Sequence, residues 1–574
     1  MKKNSTESLN GLLSKWRDAV EGSSLPKPPS FDGPDVQLTS IVEHSDLVRP
    51  GACFVARIRT GTDGHPYIGK AISRGASLIL GQLDPTKIDV DLAGVPYIQV
   101  ENTGIAEAWL AAAWHDFPSQ RLIMIGVTGT DGKSTTVNLI YQILRSAGVK
   151  IGMLSTIKAA IGEDEEPLAL HVTTPEAPVI QEYLHRMVDA GLTHCVLEAT
   201  SHGLSQDRVG AIDFDLAVVT NITHEHLDYH GGFQEYLDAK SKLFSMIETV
   251  FPPPEPLSPL KDANRVDSGD LSSKRAENIH QLSRAHQKHA VEKTAVLNRD
   301  DESFFHLEEL PIPNQITYGL ESPADVFASN IVYKIGSTSF DLNLPRKLSN
   351  DKSSISITSS MVGPFNVYNM MAAASAAHAL GIDGQDIKDG LDSDIMLRGR
   401  MQPIDQGQSF SIIVDFAHTP NALLKAITAA RNLTSGQVIT VFGSAGKRDV
   451  QKRRMMAEVS AREADITILT AEDPRTEVLE DILDMMAEGC RSQGGVEGQS
   501  FWRITDRGQA IYFALTKSRE RDLVLICGKG HEQSMCFGTT EFPWDDIEAT
   551  RVAVDSMLAG EPMPDLGLPT FTGR

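Results

Sequence analysis

Cysteine is scarce in this 574-residue chain, and the five present (Cys53, Cys195, Cys490, Cys527 and Cys536) are scattered, odd in number and form no CxxC pair. That usage excludes a disulfide framework and a zinc knuckle and fits a reducing compartment. Long apolar runs are missing too: nowhere do about 18 apolar residues follow one another, so no membrane span is expected. The opening MKKNSTESLNGLLSKW lacks the apolar core of a signal peptide, which points to a cytosolic protein. Positive charge is also short, since 53 Lys and Arg against 76 Asp and Glu leave a formal net charge of -23. Such a chain is a poor general binder of nucleic acid or anionic membrane, so any phosphate it holds needs a local basic pocket. The 41% hydrophobic and 22% charged residues are ordinary for a globular protein. The length suggests about three or four domains.

What is present begins with GVTGTDGKST, Gly126 to Thr135, directly after the apolar run LIMI. The common phosphate-loop pattern has Gly, four intervening residues and then Gly-Lys-Ser/Thr, but here the position of that first Gly holds Val127 and a Gly stands one place earlier. The loop can still work. Gly129 and Gly132 let backbone N–H groups turn inward, Lys133 supplies charge for phosphate, and Ser134 offers a hydroxyl to a magnesium ion. Val137, Ile140 and Leu144 recur at helical spacing with Gly148 as a stop, which predicts a helix whose N-terminus faces the phosphates.

The pattern of short apolar runs predicts an α/β protein of three domains: a small N-terminal α/β domain, a central P-loop-type parallel-sheet ATPase domain and a Rossmann-like C-terminal domain. The expected boundaries are a polar N-terminal extension over 1–40, then domains over 41–120, 121–398 and 399–574. Within the central domain, residues 251–290 are rich in Pro, Ser and charge and read as an inserted loop, dispensable for chemistry. The C-terminal runs VITVFG, ITILT and LVLICG end in GSAGKRD, AEDPRTE and GKGHE. Ligands sit at the carboxyl ends of strands in open parallel sheets, so these endings predict one site along one edge.

The strand HCVLEAT delivers Glu198, and the next delivers TNITHEHLDYHG with Glu225, His226, Asp228 and His230. Magnesium prefers oxygen, so Glu198 and Ser134 are natural ligands and one imidazole is tolerable. Zinc is the competing choice, weaker beside a phosphate loop where a magnesium–nucleotide complex already explains a carboxylate at a strand end.

Taken together, GTDGKST, LEATSHGL, TNITHEHLDYHG, YLDAKSKLF, GPFNVYN, GRMQ, VDFAHTP, GSAGKRD, EDPRTE and GKGHE resemble the motifs of the Mur ligase family, in the family's order. The family's loop lacks the standard first Gly. The pairing of TSHGLSQDRV with EDPRTE and GKGHE is most similar to the MurE type. The resemblance implies ATP-dependent joining of a diamino acid to UDP-N-acetylmuramoyl-L-alanyl-D-glutamate through an acyl phosphate, in peptidoglycan precursor synthesis. It implies that Lys133, Glu198, His226 and Lys240 are catalytic and that Gly129, Thr130, Asp131, Gly132, Lys133, Ser134, Thr135, Asn366, Arg400 and Asp415 hold ATP. It further implies magnesium on Ser134, Glu198 and His226, with Lys240 carbamylated by CO₂ as an oxygen ligand. Ser45 would face uridine, and Thr173, Thr174, Thr200, Gln206 and Arg208 the muramoyl dipeptide. Arg448, Asp473, Arg475, Gly528 and Glu532 would hold the incoming amino acid, meso-diaminopimelate favoured by Arg475 over lysine or ornithine.

Three departures stand out: His44-Ser45-Asp46 where the family has Asp-Ser-Arg, Glu472-Asp473-Pro474-Arg475 where its diaminopimelate type has Asp-Asn-Pro-Arg, and Gln402 for an acidic residue. The alternatives are the same reaction with lysine or ornithine, another Mur-type carboxylate–amine ligase such as a folylpolyglutamate synthase, and a non-catalytic nucleotide-binding relative. PGACFVARIRTGTDGHPYI argues against the folate version, which lacks such a first domain.

Overall fold

The structure is a computed structural model that describes residues 6–571 except 60, 157, 168–173, 224, 226, 249–250, 252–290, 322, 347–348 and 394–397. Thr173, His226 and, beyond Phe251, the loop expected over 251–290 therefore lie outside the described residues. Two compact units divide the chain: Met1–Phe327 with Leu344–Ser353 and Asn369–Gly390, and Ala328–Asn343 with Ser354–Tyr368 and Leu391–Arg574.

In the first unit the strands Ser40–Val42, Ala52–Val55, Leu78–Gly81 and Tyr97–Gln99 form a four-stranded parallel sheet. The stretch before it is more than polar. Leu9, Leu12, Leu13 and Trp16 recur at helical spacing, fold as the helix Leu9–Ala19 and are buried in one cluster with Trp109. Trp109 stacks with both Trp16 and Phe251, with ring centroids 5.8 and 5.6 Å away.

The unit's larger sheet has eight strands, in the order Asp164–Pro167, Lys158–Ile161, Ile151–Leu154, His194–Glu198, Ile123–Thr128, Leu216–Val219, Thr294–Asn298 and Asn314–Tyr318. From Ile151–Leu154 onward the pairings are parallel. Every residue of Ile123–Thr128 is buried, as a strand covered on both faces requires, which is why it reads as a continuous apolar run. The chain places His194–Glu198 on one side of this strand and Leu216–Val219 on the other, so strand order reverses at its carboxyl end. Crevices for ligands open at such switch points.

In the second unit the order is Gln402–Ile404, Ser411–Asp415, Leu523–Cys527, Val438–Phe442, Ile466–Leu469 and Phe501–Arg503, all parallel but for the first. The sheet lies in one apolar core that includes Val441, Ile468 and Leu525. Its shared direction brings VDFAHTP, GKGHE, GSAGKRD and AEDPRTE to one edge. Among the described residues no helix is long and apolar enough to cross a membrane.

Candidate active site

The irregular phosphate loop is explained by where its turn begins. Val127 is still inside the strand Ile123–Thr128, and the left-handed backbone starts only at Gly129 (φ 149°), followed by Gly132 (φ 82°). A Cβ at Gly129 would lie 1.8 Å from Thr220 Oγ1, and one at Gly132 would lie 2.3 Å from Asn369 Oδ1. Glycine is therefore needed at both places, and nothing requires it at 127. The helix Lys133–Ser146 follows, with Gly132 at its N-cap, so its unpaired first-turn N–H groups face the loop. It stops as the sequence predicts, with Gly148 at φ 78°.

Neighbouring strands brace the loop. Thr130 N–H donates to Asn221 O at 2.6 Å, Thr220 Oγ1 donates to Asp131 O at 2.6 Å, and Thr223 N–H donates to Thr130 Oγ1 at 2.9 Å. Behind them, Asn298 Nδ2 donates to Thr220 O at 2.7 Å, and Asp301 Oδ1 accepts from Ile222 N–H at 3.1 Å. The run NRDD, Asn298 to Asp301, was missed by the motif reading; its signal was a polar cluster at the end of the apolar strand Thr294–Asn298.

The loop gathers four of the expected groups. Lys133 Nζ donates to Thr130 O at 2.8 Å, within the loop. Ser134 Oγ donates to Glu198 Oε2 at 2.8 Å, and the same oxygen accepts from Thr156 N–H at 3.1 Å, another partner that the motifs did not reveal. Glu198 reaches this point because it is the last residue of its strand, in register with Val127. Lys240, on the helix Phe233–Glu248, is fully buried; its Nζ donates to Gly129 O at 2.5 Å and lies 4.6 Å from the centroid of the Tyr236 ring. Burial, reinforced by the charge of Lys133, holds its pKa well below that of an ordinary lysine.

Adjacent residues form a second cluster in the same unit. Thr174 and Thr200 share a hydroxyl hydrogen bond of 2.8 Å, and Thr200 Oγ1 also accepts from Gly203 N–H at 3.1 Å, capping the short helix Ser201–Ser205. Arg208 donates to Thr174 O and, at 2.8 Å, to Gln206 Oε1, while Glu176 Oε1 lies 2.9 Å from its guanidinium. A cavity of about 690 Å³ beside this cluster is lined by Arg57, Arg59, Gln82, Asn102, Gln206 and Lys242, among others. Ser45 is buried in the small sheet's first turn, whereas Asp46 is exposed and pairs with Lys70 and Arg74, each at 3.0 Å.

The second unit holds the remaining expected residues. Asp415 ends its strand with both oxygens used by backbone, from Met401 N–H at 2.7 Å and Ala417 N–H at 2.8 Å. Arg400 lies over Phe416, 4.6 Å from the ring centroid, and Asn366 is buried in its helix with Nδ2 donating to Val362 O at 2.8 Å. Gln402 caps a turn, its Oε1 accepting from Gly399 N–H at 2.9 Å, a bond that a carboxylate would make equally well. Arg448 is exposed.

In the loop AEDPRTE Asp473 (φ 37°) and Arg475 (φ 54°) both adopt the left-handed region, a strained geometry for such side chains. Asp473 Oδ1 accepts from Lys529 Nζ at 3.0 Å and from Cys536 N–H at 2.9 Å, and Lys529 also pairs with Glu532 at 2.6 Å. Glu472 is buried, and burial raises its pKa above the usual carboxylate range. Gly528 (φ 113°) makes room for it, since a Cβ there would meet Glu472 Oε2 at 2.4 Å. Arg475 is half-buried, its backbone joined to Cys536 O and Gly538 N–H. No carboxylate among the described residues pairs with its guanidinium, whereas Arg453 and Arg507 are both paired.

A model of the Mur ligase middle domain matches residues 127–251 and 276–377, and one of the Mur ligase glutamate ligase domain matches 399–530. A UDP-N-acetylmuramoyl-L-alanyl-D-glutamate–2,6-diaminopimelate ligase from Bacillus licheniformis is 35% identical over 531 residues, 92% of this chain and 97% of that one. The chain belongs to the Mur ligase family. A UDP-N-acetylmuramyl-tripeptide synthetase from Roseiflexus sp. is 36% identical over 540 residues, covering 93% of this Mur ligase and 98% of the relative. A solved UDP-N-acetylmuramoyl-L-alanyl-D-glutamate–2,6-diaminopimelate ligase superposes with a TM-score of 0.58 at 26% identity, over 92% of this chain and 98% of that one. The three-domain α/β architecture and the activity of an ATP-dependent ligase follow from the family.

Proposed function

We propose that this Mur ligase joins meso-diaminopimelate to the D-glutamate γ-carboxyl of UDP-N-acetylmuramoyl-L-alanyl-D-glutamate while ATP becomes ADP and phosphate, in the cytoplasm. The convergence of Lys133, Ser134, Glu198 and Lys240 on one phosphate loop supports it most directly. A carboxylate is a poor acyl donor. Its oxygen attacks the γ-phosphorus, ADP leaves, the amine attacks the acyl carbon, and phosphate departs with that oxygen as the amine loses a proton. Lys133 and the first turn of Lys133–Ser146 face the charge that builds during phosphoryl transfer.

Ser134, Glu198 and His226 would hold magnesium, which neutralises charge on the transferring group when bound. The donor set fits such an ion, since a hydroxyl and a carboxylate are the hard oxygen ligands magnesium prefers, and Ser134 Oγ lies beside Glu198 Oε2. Lys240 would react with CO₂ as a neutral amine, losing a proton to become a carbamate. A fully buried ammonium next to Lys133 is costly, and a carbamate exchanges that charge for oxygen ligands. Thr174, Thr200, Gln206 and Arg208 would receive the muramoyl dipeptide, Ser45 the uridine, and Asn366, Arg400 and Asp415 ATP. Arg448, Asp473, Arg475, Gly528 and Glu532 would receive the diamino acid.

The choice of amine rests on charge. Two carboxylates at 472 and 473 could attract the bare ammonium of lysine or ornithine, but Asp473 is already engaged by Lys529 and Glu472 is buried against Gly528. Arg475 is left as the group able to grip a distal carboxylate through two parallel hydrogen bonds. The name of the Bacillus licheniformis relative agrees with that choice. The test compares kcat/KM for meso-diaminopimelate, L-lysine and L-ornithine in ADP release dependent on the muramoyl dipeptide. Diaminopimelate should lead, and Arg475→Ala should cut its kcat/KM by roughly ten- to a hundredfold, the worth of a lost charge-assisted bond of about 1.5–3 kcal/mol. A lead for lysine or ornithine that Arg475→Ala leaves untouched overturns the assignment.

A further inference from the structure

We infer that Arg507 is a positioning residue for the incoming amino acid, its guanidinium fixing the gap between the two strand ends that present AEDPRTE and GKGHE. Arg507 opens the helix Arg507–Lys517 and is fully buried. Nε and Nη2 each donate to one oxygen of buried Asp546 at 2.7 Å. Nη1 donates to Ala471 O at 3.1 Å and Nη2 to Cys527 O at 2.8 Å. Those two carbonyls immediately precede Glu472 and Gly528.

The strands concerned, Ile466–Leu469 and Leu523–Cys527, are not neighbours, because Val438–Phe442 runs between them. Strands two places apart stand about 9.6 Å from each other, beyond backbone hydrogen bonding, so a rigid fork with several donors is what joins their ends. Lysine has the charge without that planar fork. Trp544 Nε1 also donates to Asp546 Oδ1 at 2.8 Å, which helps to fix the carboxylate that the fork grips. A buried ion pair adds little net stability over well-packed apolar groups, whereas the placement of two binding loops needs this geometry. The tolerance is small, since Glu472 and Gly528 already leave no room for one methyl group.

The inference rests on the ligase reading above and is tested in the full-length enzyme with Arg507→Lys. Displacing the two loops should raise the KM for diaminopimelate roughly ten- to a hundredfold. The KM for the muramoyl dipeptide should stay within about twofold, because the residues proposed for it, Thr174, Thr200, Gln206 and Arg208, belong to the first unit. Asp546→Asn, which loosens the fork without removing it, should give the same split with a smaller rise. An unchanged amine KM, a parallel fall in all parameters, or failure of both variants to fold overturns the inference. Absence of diamino-acid-dependent ADP release in the unaltered enzyme overturns the ligase reading instead.

Discussion

Lys133→Ala is expected to lower kcat for ADP release roughly 10³-fold, about 4 kcal/mol, the loss associated with removing one preorganised electrostatic group from a transition state. The lysine begins the helix Lys133–Ser146, and among the described residues its ammonium bonds within its own loop, to Thr130 O. Losing that bond costs about 1 kcal/mol, a shift of a few degrees in Tm. Glu198→Ala should be as severe for a different reason: it removes a carboxylate oxygen and leaves Ser134 Oγ and Thr156 N–H without their shared acceptor. Both variants should keep the far-ultraviolet circular dichroism of the unaltered enzyme. A kcat within about tenfold of the original in either one would show that phosphoryl transfer does not take place at this loop.

Lys240→Ala should be equally inactive, by roughly 10³-fold, and should recover part of its activity on addition of acetate, a small carboxylate able to occupy the place of a carbamate. The unaltered enzyme should lose activity in CO₂-depleted buffer and regain it with bicarbonate. The whole side chain is buried against Gly129 O and Tyr236. Alanine there also leaves a cavity, so a cost of about 2–3 kcal/mol in stability accompanies the change. Rescue by acetate separates the chemical role from the structural one. Full activity of Lys240→Ala, or indifference of the unaltered enzyme to CO₂, removes the carbamate from the account.

Much of this was legible because the determinants are local. Buried parallel strands such as Ile123–Thr128 and Leu523–Cys527 read as unbroken apolar runs, and Gly129, Gly132 and Lys133 announce their turn by residue type. The N-terminal helix was hidden for a compositional reason: Leu9, Leu12, Leu13 and Trp16 form a clear stripe, but the polar residues around them dominate the average. Partners set by sheet order stayed invisible. Thr156 meets Glu198 across 42 positions, and Lys529 meets Asp473 across 56. The sequence therefore displayed the carboxylates of Glu472 and Asp473 as a charge pair facing a substrate, when one is matched internally and the other is buried. Arg507 escaped for the same reason, since its worth lies in two carbonyls on strands that only the tertiary structure brings within its reach.

If ATP activates the substrate carboxylate as an acyl phosphate at this loop, one oxygen of that carboxylate must leave with the phosphate. The muramoyl dipeptide is prepared with both γ-carboxyl oxygens of its D-glutamate as ¹⁸O and turned over with ATP and meso-diaminopimelate, and the inorganic phosphate is analysed by mass. One ¹⁸O is expected in each phosphate released, with the other retained in the new amide. Tripeptide product formed alongside unlabelled phosphate, or label found in AMP, would contradict it.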